Sequence, residues 1–207
     1  MIKKILLSTA GVLVGLAIML LLGTFLNSGK PALNEALAAK GIRTPENVSL
    51  VVYSSRNVME LYSDTTKVKE YRVFTGGNPN PKRSANDRGT PVGTYSICSI
   101  DTQHTFHRFL RLNFPNPEDA ETAYRHGIIS KKEFEDIKYQ YFYEGCISPK
   151  TGIGGNIGLH GTGSLNFLLN NLPFVFNWTD GSIAMSDEEI DELFIIVRKG
   201  TKVVIKP

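Results

Sequence analysis

The chain lacks a framework of cysteines: among its 207 residues only Cys98 and Cys146 are present. Two are too few to staple a fold. Joined, they would make the single bridge open to an exported protein, but spacing does not decide that, and both read more simply as small buried or half-buried thiols. An excess of charge is also missing. Lys plus Arg total 23 against 20 Asp plus Glu, and Lys3, Lys4, Lys30 and Lys40 all lie near the N-terminus, so the remainder is close to neutral. A near-neutral domain gives no electrostatic footprint for nucleic acid, which is excluded as a partner. Internal repeats are absent, and no low-complexity tract occurs beyond one apolar run. A metal site is not expected either. His104 and His107 form a His-x-x-His pair, but in a strand-like run the two side chains point to opposite faces, and no third ligand stands nearby. No cofactor is implied.

What is present begins with an address. "MIKKILLSTAGVLVGLAIMLLLGTFLNSGK" carries two lysines and then no charge over residues 5–25, a run of 21 residues. About 20 apolar residues cross a bilayer as a helix, whereas a cleaved signal peptide has a core of roughly 7 to 15. Residues 1–26 therefore read as an uncleaved signal anchor. Cleavage after Ala36-Leu37-Ala38 is the alternative. With Lys3 and Lys4 on the cytoplasmic side, the chain beyond the anchor faces the periplasm or cell exterior from the inner (cytoplasmic) membrane. Residues 27–46, polar and Gly/Pro-bearing around a short helix, read as a linker. Residues 47–207 form one domain of ordinary size.

Within that domain the pattern is mainly β. "VSLVVYS", "NVMELYS" and "VKEYRVFTGG" predict a three-stranded meander, "GTYSICSID" and "HRFLRLNF" two further strands, and "TKVVIKP" a closing strand. Helices punctuate it. Asn116 as N-cap before Pro117, with Gly127 at the far end, marks one, and His126 in its last turn suits the helix dipole. Ser130 with Glu133 marks a second. Ser186 with Glu189 opens a third, over 187–198, whose Ile190, Leu193, Phe194 and Val197 form a core-facing stripe.

Two stretches draw the eye for chemistry. In "GGNIGLHG" the glycines suggest a strand approached closely by other backbone, with His160 at its end. In "NWTDGSIAMSDEEI" a Gly181 turn presents Ser182 just before a helix, the setting a nucleophile needs together with a base and oxyanion donors. By spacing alone an ordinary core strand and an Asp-Gly turn explain both. Cys146 is a weak alternative nucleophile, lacking such a turn and a following helix. Phe174, Phe176 and Trp178 read as core packing or cleft cover, and Arg88 as a solvated turn residue.

The order of pieces resembles the L,D-transpeptidase catalytic (YkuD-type) family. "DRGTPVGTYSI" is similar to its Thr-Pro-x-Gly-x-Tyr segment, "FLRLNFPNPEDA" to its Leu-x-Asn-Tyr-Pro-Asn segment, and "GGNIGLHG" with "NWTDGSIAM" to its active-site segments, nearest the branch reading Trp-Thr-x-Gly-Cys-Ile-Ala. The resemblance implies a β sandwich or barrel with a few short helices. It also implies acyl transfer from a peptidoglycan stem tetrapeptide to an amine acceptor during cell wall biogenesis. His160 would be the base, the Gly161 carbonyl its orienting group, Gly181 and Ser182 the oxyanion donors, and residue 182 the nucleophile. Trp178, Thr179 and Asp180 would contact substrate. The family cysteine is Ser182 here, and a hydroxyl needs a well-placed base far more than a thiol does. An enzyme and a pseudoenzyme that binds peptidoglycan, or a cell-wall synthesis protein as partner, both remain open.

Overall fold

The computed structural model describes residues 2–27 and 29–207; Met1, in the predicted anchor, and Ser28, in the predicted linker, lie outside the described residues. Among the described residues eight strands are present: β1 (Ser49–Tyr53), β2 (Val58–Ser63), β3 (Thr66–Arg72), β4 (Gly93–His104), β5 (His107–Leu112), β6 (Gly158–His160), β7 (Ile183–Ala184) and β8 (Lys202–Lys206). Six helices accompany them: α1 (Ile2–Asn27), α2 (Leu33–Ala39), α3 (Pro117–Arg125), α4 (Lys131–Tyr139), α5 (Asn166–Asn170) and α6 (Asp187–Ile196).

The strands form one mixed sheet in the order β3-β2-β1-β8-β4-β5-β6-β7. β1, β2 and β3 pair antiparallel, the expected meander. Each strand alternates faces with period two, so in β1 Leu50 and Val52 are wholly buried while their neighbours are only partly covered. The last strand of the chain, β8, enters the middle of the sheet, parallel to β1 and antiparallel to β4, and buries Val203 and Ile205. The two sheet ends meet: Phe74, just beyond β3, and Ala184 of β7 exchange two backbone hydrogen bonds of 2.8 Å. That exchange ties the two ends of the sheet together at one point and curls the strands toward one another.

The helices start where the capping residues stand. Asn116 accepts from the Asp119 amide and Asp119 answers through the Asn116 amide, a closed capping box. His126 is the C-cap, its Nδ1–H donating to the Thr122 carbonyl. Ser130 and Ser186 cap α4 and α6, but Glu133 turns its carboxylate to the Gly152 amide instead of closing the box. On α6, Ile190, Leu193 and the following Val197 are fully buried, while Phe194 is half-buried beneath the Arg108 guanidinium. The helix ends at Ile196, two residues earlier than expected. α2 packs Leu33 and Ala36 into the main core.

Cys98 of β4 and Cys146, just after a turn of π-helix that follows α4, form a disulfide. This corrects the reading of two separate thiols and removes Cys146 as a nucleophile. The helical insertion brings residues 48 apart in sequence to a Cα separation of 5.4 Å, a proximity no spacing rule reveals. α1 is the one helix among the described residues that is long and apolar enough to cross a membrane.

Candidate active site

His160 is the last residue of β6, held between β5 and β7 by pairing with Phe109 and Ala184. β6 can lie this close to β5 because Gly158 has no side chain; a Cβ there would stand 2.4 Å from the Leu110 carbonyl oxygen. The imidazole is buried and sits among aromatic rings, with Phe106 stacked at 5.0 Å and Trp178 edge-on at 5.9 Å between centroids. Its Nδ1 lies 2.6 Å from the Gly161 carbonyl oxygen. A carbonyl only accepts, so Nδ1 carries the proton and Nε2 of the neutral ring keeps its lone pair. Burial pushes the His160 pKa down from 6.5 to about 4; the Gly161 hydrogen bond works against that shift and the neighbouring His104 adds to it.

Ser182 follows a turn that is built largely by Thr179 and Gly181. Gly181 adopts φ 120°, and a Cβ at that position would lie 2.5 Å from the Gly89 carbonyl oxygen. Only glycine fits. The Thr179 hydroxyl donates to the Ser182 carbonyl at 2.6 Å and accepts from the Gly181 amide at 3.3 Å. Thr179, expected to contact substrate, is therefore buried with its hydroxyl taken up by the turn. The Gly181 amide is likewise engaged, whereas among the described residues the Ser182 amide has no hydrogen-bond acceptor. The Ser182 Oγ accepts from the Gly158 amide at 3.3 Å and makes no hydrogen bond with His160.

His160, Ser182, Thr179, Asp180 and Trp178 line one cleft of about 270 Å³, together with His104, Phe106, Phe109 and Asn156. Asp180 is exposed and pairs with Arg88, Nε to Oδ1 3.1 Å, and Arg88 also donates to the Trp178 carbonyl at 2.7 Å. Arg88 thus differs from a free turn residue: it fastens the Trp178–Asp180 loop from the neighbouring segment. The Trp178 indole N–H is buried without an acceptor among the described residues. His104 and His107 diverge, His104 stacking on Phe109 in the cleft and His107 reaching Asp191 at 2.9 Å on α6.

A family model for the YkuD L,D-transpeptidase catalytic domain matches residues 46–205. The chain belongs to that family. Among solved structures, this L,D-transpeptidase-family chain is similar to a mutant of Pgp2, the helical cell shape determining protein of Campylobacter jejuni, at 16% identity and TM-score 0.50, over 84% of this chain and 54% of that one. It is also similar to the L,D-transpeptidase of Xylanimonas cellulosilytica, at 13% identity and TM-score 0.45, over 85% and 70% of the two chains. The chain thus spans about half of the Pgp2 chain, and likeness at these identities speaks to the fold alone. No curated protein sequence matches it.

Several residues of the L,D-transpeptidase-family cleft were not legible in the sequence. Phe106 and Asn156 lie in a hairpin turn and a loop with no periodicity to mark them. Asp187, at the start of α6, accepts from the Thr162 and Gly163 amides at 2.8 and 2.9 Å and so fixes the chain leaving His160. Its place in an acidic first turn suggested only a helix start.

Proposed function

We propose that this chain is a membrane-anchored L,D-transpeptidase-type acyltransferase that acts on peptidoglycan stem peptides at the extracytoplasmic face, with Ser182 in the place of the family cysteine. The reading rests on one observation: His160, with its Nδ1–H committed to Gly161 and Nε2 left as acceptor, shares a cleft with Ser182, whose own amide is unengaged. In the proposed reaction Ser182 Oγ attacks the carbonyl carbon of the stem peptide and its proton passes to His160 Nε2. The Ser182 amide receives the oxyanion, joined by Gly181 if its bond to Thr179 yields. Collapse expels the terminal D-residue as an amine, which takes the proton from His160; an acceptor amine then attacks the ester carbonyl, gives its proton to His160, and the Ser182 oxygen leaves and recovers that proton. Trp178 and Asp180 contact the peptide. The α1 apolar run and its two lysines support an uncleaved anchor with the domain outside.

A specific observation favours a second reading, a pseudoenzyme that binds stem peptides or a cell-wall synthesis partner. Ser182 Oγ is bonded to Gly158 instead of His160, and an imidazole pushed down to about 4 is a weak base for a hydroxyl. Intact mass measurement of the full chain after incubation with a stem tetrapeptide separates the two. An adduct of the tetrapeptide less its terminal residue, mapped to Ser182, supports the acyltransferase; saturable binding without adduct supports the binding protein.

A further inference from the structure

The segment between His160 and Asp180, "GTGSLNFLLNNLPFVFNWT", contains no charged residue. It carries α5 and folds over the end of the sheet next to the cleft. Of the two readings the sequence offered for Phe174 and Phe176, core packing or cleft cover, the first does not hold. Phe174 and Phe176 are 53% and 62% exposed, Phe167 is 73% exposed, and Leu165 and Leu168 are open as well. An exposed apolar cluster of this kind marks a surface with a partner.

The partner is indicated by what the segment already touches. Met19 and Leu20 of α1 pack with Leu169, Leu172 and Val175 in a small core that also includes Trp178. Gly23 of α1 lies against the Asn171 carbonyl so closely that a Cβ would overlap it, and the Asn27 amide group donates to the Asn170 carbonyl at 2.7 Å. The membrane-crossing helix and the segment are therefore in register. Residues 5–25 rise about 1.5 Å each and so cover about 30 Å, the thickness of a hydrocarbon core. Lys3 and Lys4 hold the inner end at the headgroups. Met19 then lies about 9 Å inside the outer boundary, and whatever packs against it shares that depth.

We propose that residues 163–178 dip into the outer leaflet, with Phe167, Phe174 and Phe176 in contact with lipid, so that the cleft of His160 and Ser182 opens at the membrane surface. The inference rests on the reading of α1 as an uncleaved span. It confines the cleft to stem peptides within reach of the bilayer, because this flap, residues 163–178, carries Trp178 into the same packed cluster as Met19 and Leu20. The segment carries no charge of its own, and the Arg72 guanidinium beside it donates to the Leu172 and Phe174 carbonyls, which lowers the penalty for such immersion.

The test uses the full chain in phosphatidylethanolamine–phosphatidylglycerol vesicles containing brominated lipids. Trp178 is the sole tryptophan, so Trp178→Phe gives a silent background. Into it Leu13→Trp, Phe167→Trp and Phe174→Trp are introduced singly. Leu13 reports the anchor and should be quenched most by bromine near the methyl ends of the acyl chains. Phe167→Trp and Phe174→Trp should lose about half of their emission or more to bromine near the carbonyl ends and be shielded from aqueous iodide. Quenching of both by iodide places the flap in water and overturns the inference while Leu13→Trp upholds the anchor. Shielding from both quenchers means a protein surface, a second copy included, covers the flap, and also overturns it. Failure of Leu13→Trp to meet bromine removes the anchor reading itself.

Discussion

The Ser182 hydroxyl accepts a hydrogen bond from the Gly158 amide, 3.3 Å away, and offers none to His160 in the same cleft. The oxygen is thus held by a backbone donor on the strand that carries His160. A sulfur is a weak acceptor and would lose little by leaving that amide, and a thiol ionises far more readily than a hydroxyl.

Ser182→Cys is accordingly expected to raise acylation by a stem tetrapeptide or a carbapenem by roughly a hundredfold or more, read as the rate of adduct formation by intact mass. Adding His160→Ala should abolish the gain. A folded Ser182→Cys chain that reacts with neither reagent would leave only the binding reading.

If His160 is the base, as proposed, its buried imidazole should set the acid limb of that reaction. With a His160 pKa of about 4 the ring stays neutral through mildly acidic solution, so the log of kcat/KM for Ser182→Cys should stay level down to about pH 5 and fall near pH 4. A limb at the ordinary histidine value of 6.5 would show that the ring is solvated in the working enzyme.

The same shift couples to stability. Between about pH 6.5 and 4 the unfolded chain binds a proton that folded His160 does not, so stability is fully present above that window and is lost as pH falls through it. Going from about pH 7 to about pH 5 should remove on the order of 2 kcal/mol of unfolding free energy from the native chain beyond the loss in His160→Gln, measured by denaturant titration in detergent. Equal losses would contradict the depressed value.

Gly181→Ala should damage both fold and site. Its φ of 120° and the Gly89 carbonyl 2.5 Å from the added Cβ leave no room, and a cost of about 1–3 kcal/mol is expected. In the Ser182→Cys background the variant should also lose adduct formation, because the turn that presents residue 182 is displaced.

Reduction of Cys98–Cys146 should lower stability by about 2–4 kcal/mol, since the bridge closes a loop with a sequence separation of 48 in the unfolded chain. A thermal scan with and without reductant, compared with Cys98→Ser/Cys146→Ser, measures it. The double variant should show no response to reductant.

The sequence by itself determined the local features: the strands of the meander and the closing strand, the caps at Asn116, Ser130 and Ser186, the buried stripe on α6 and the charge-free run of α1. Each depends on neighbours a few residues apart, where backbone geometry and hydrophobic periodicity act directly. The motif order also marked His160 and the Gly181 turn. Tertiary structure decided what depends on distant segments meeting. It placed β8 at the middle of the sheet, joined Cys98 to Cys146, laid Arg88 against Asp180 and turned His104 into the cleft while His107 went to Asp191. It also left Phe174 and Phe176 exposed, although their composition suits a core, because α1 and the end of the sheet had already covered Leu169, Leu172 and Val175 beside them. Hydrophobicity says that a side chain favours leaving water; only the packed chain fixes which ones find room inside, and leaves the others to a second apolar phase.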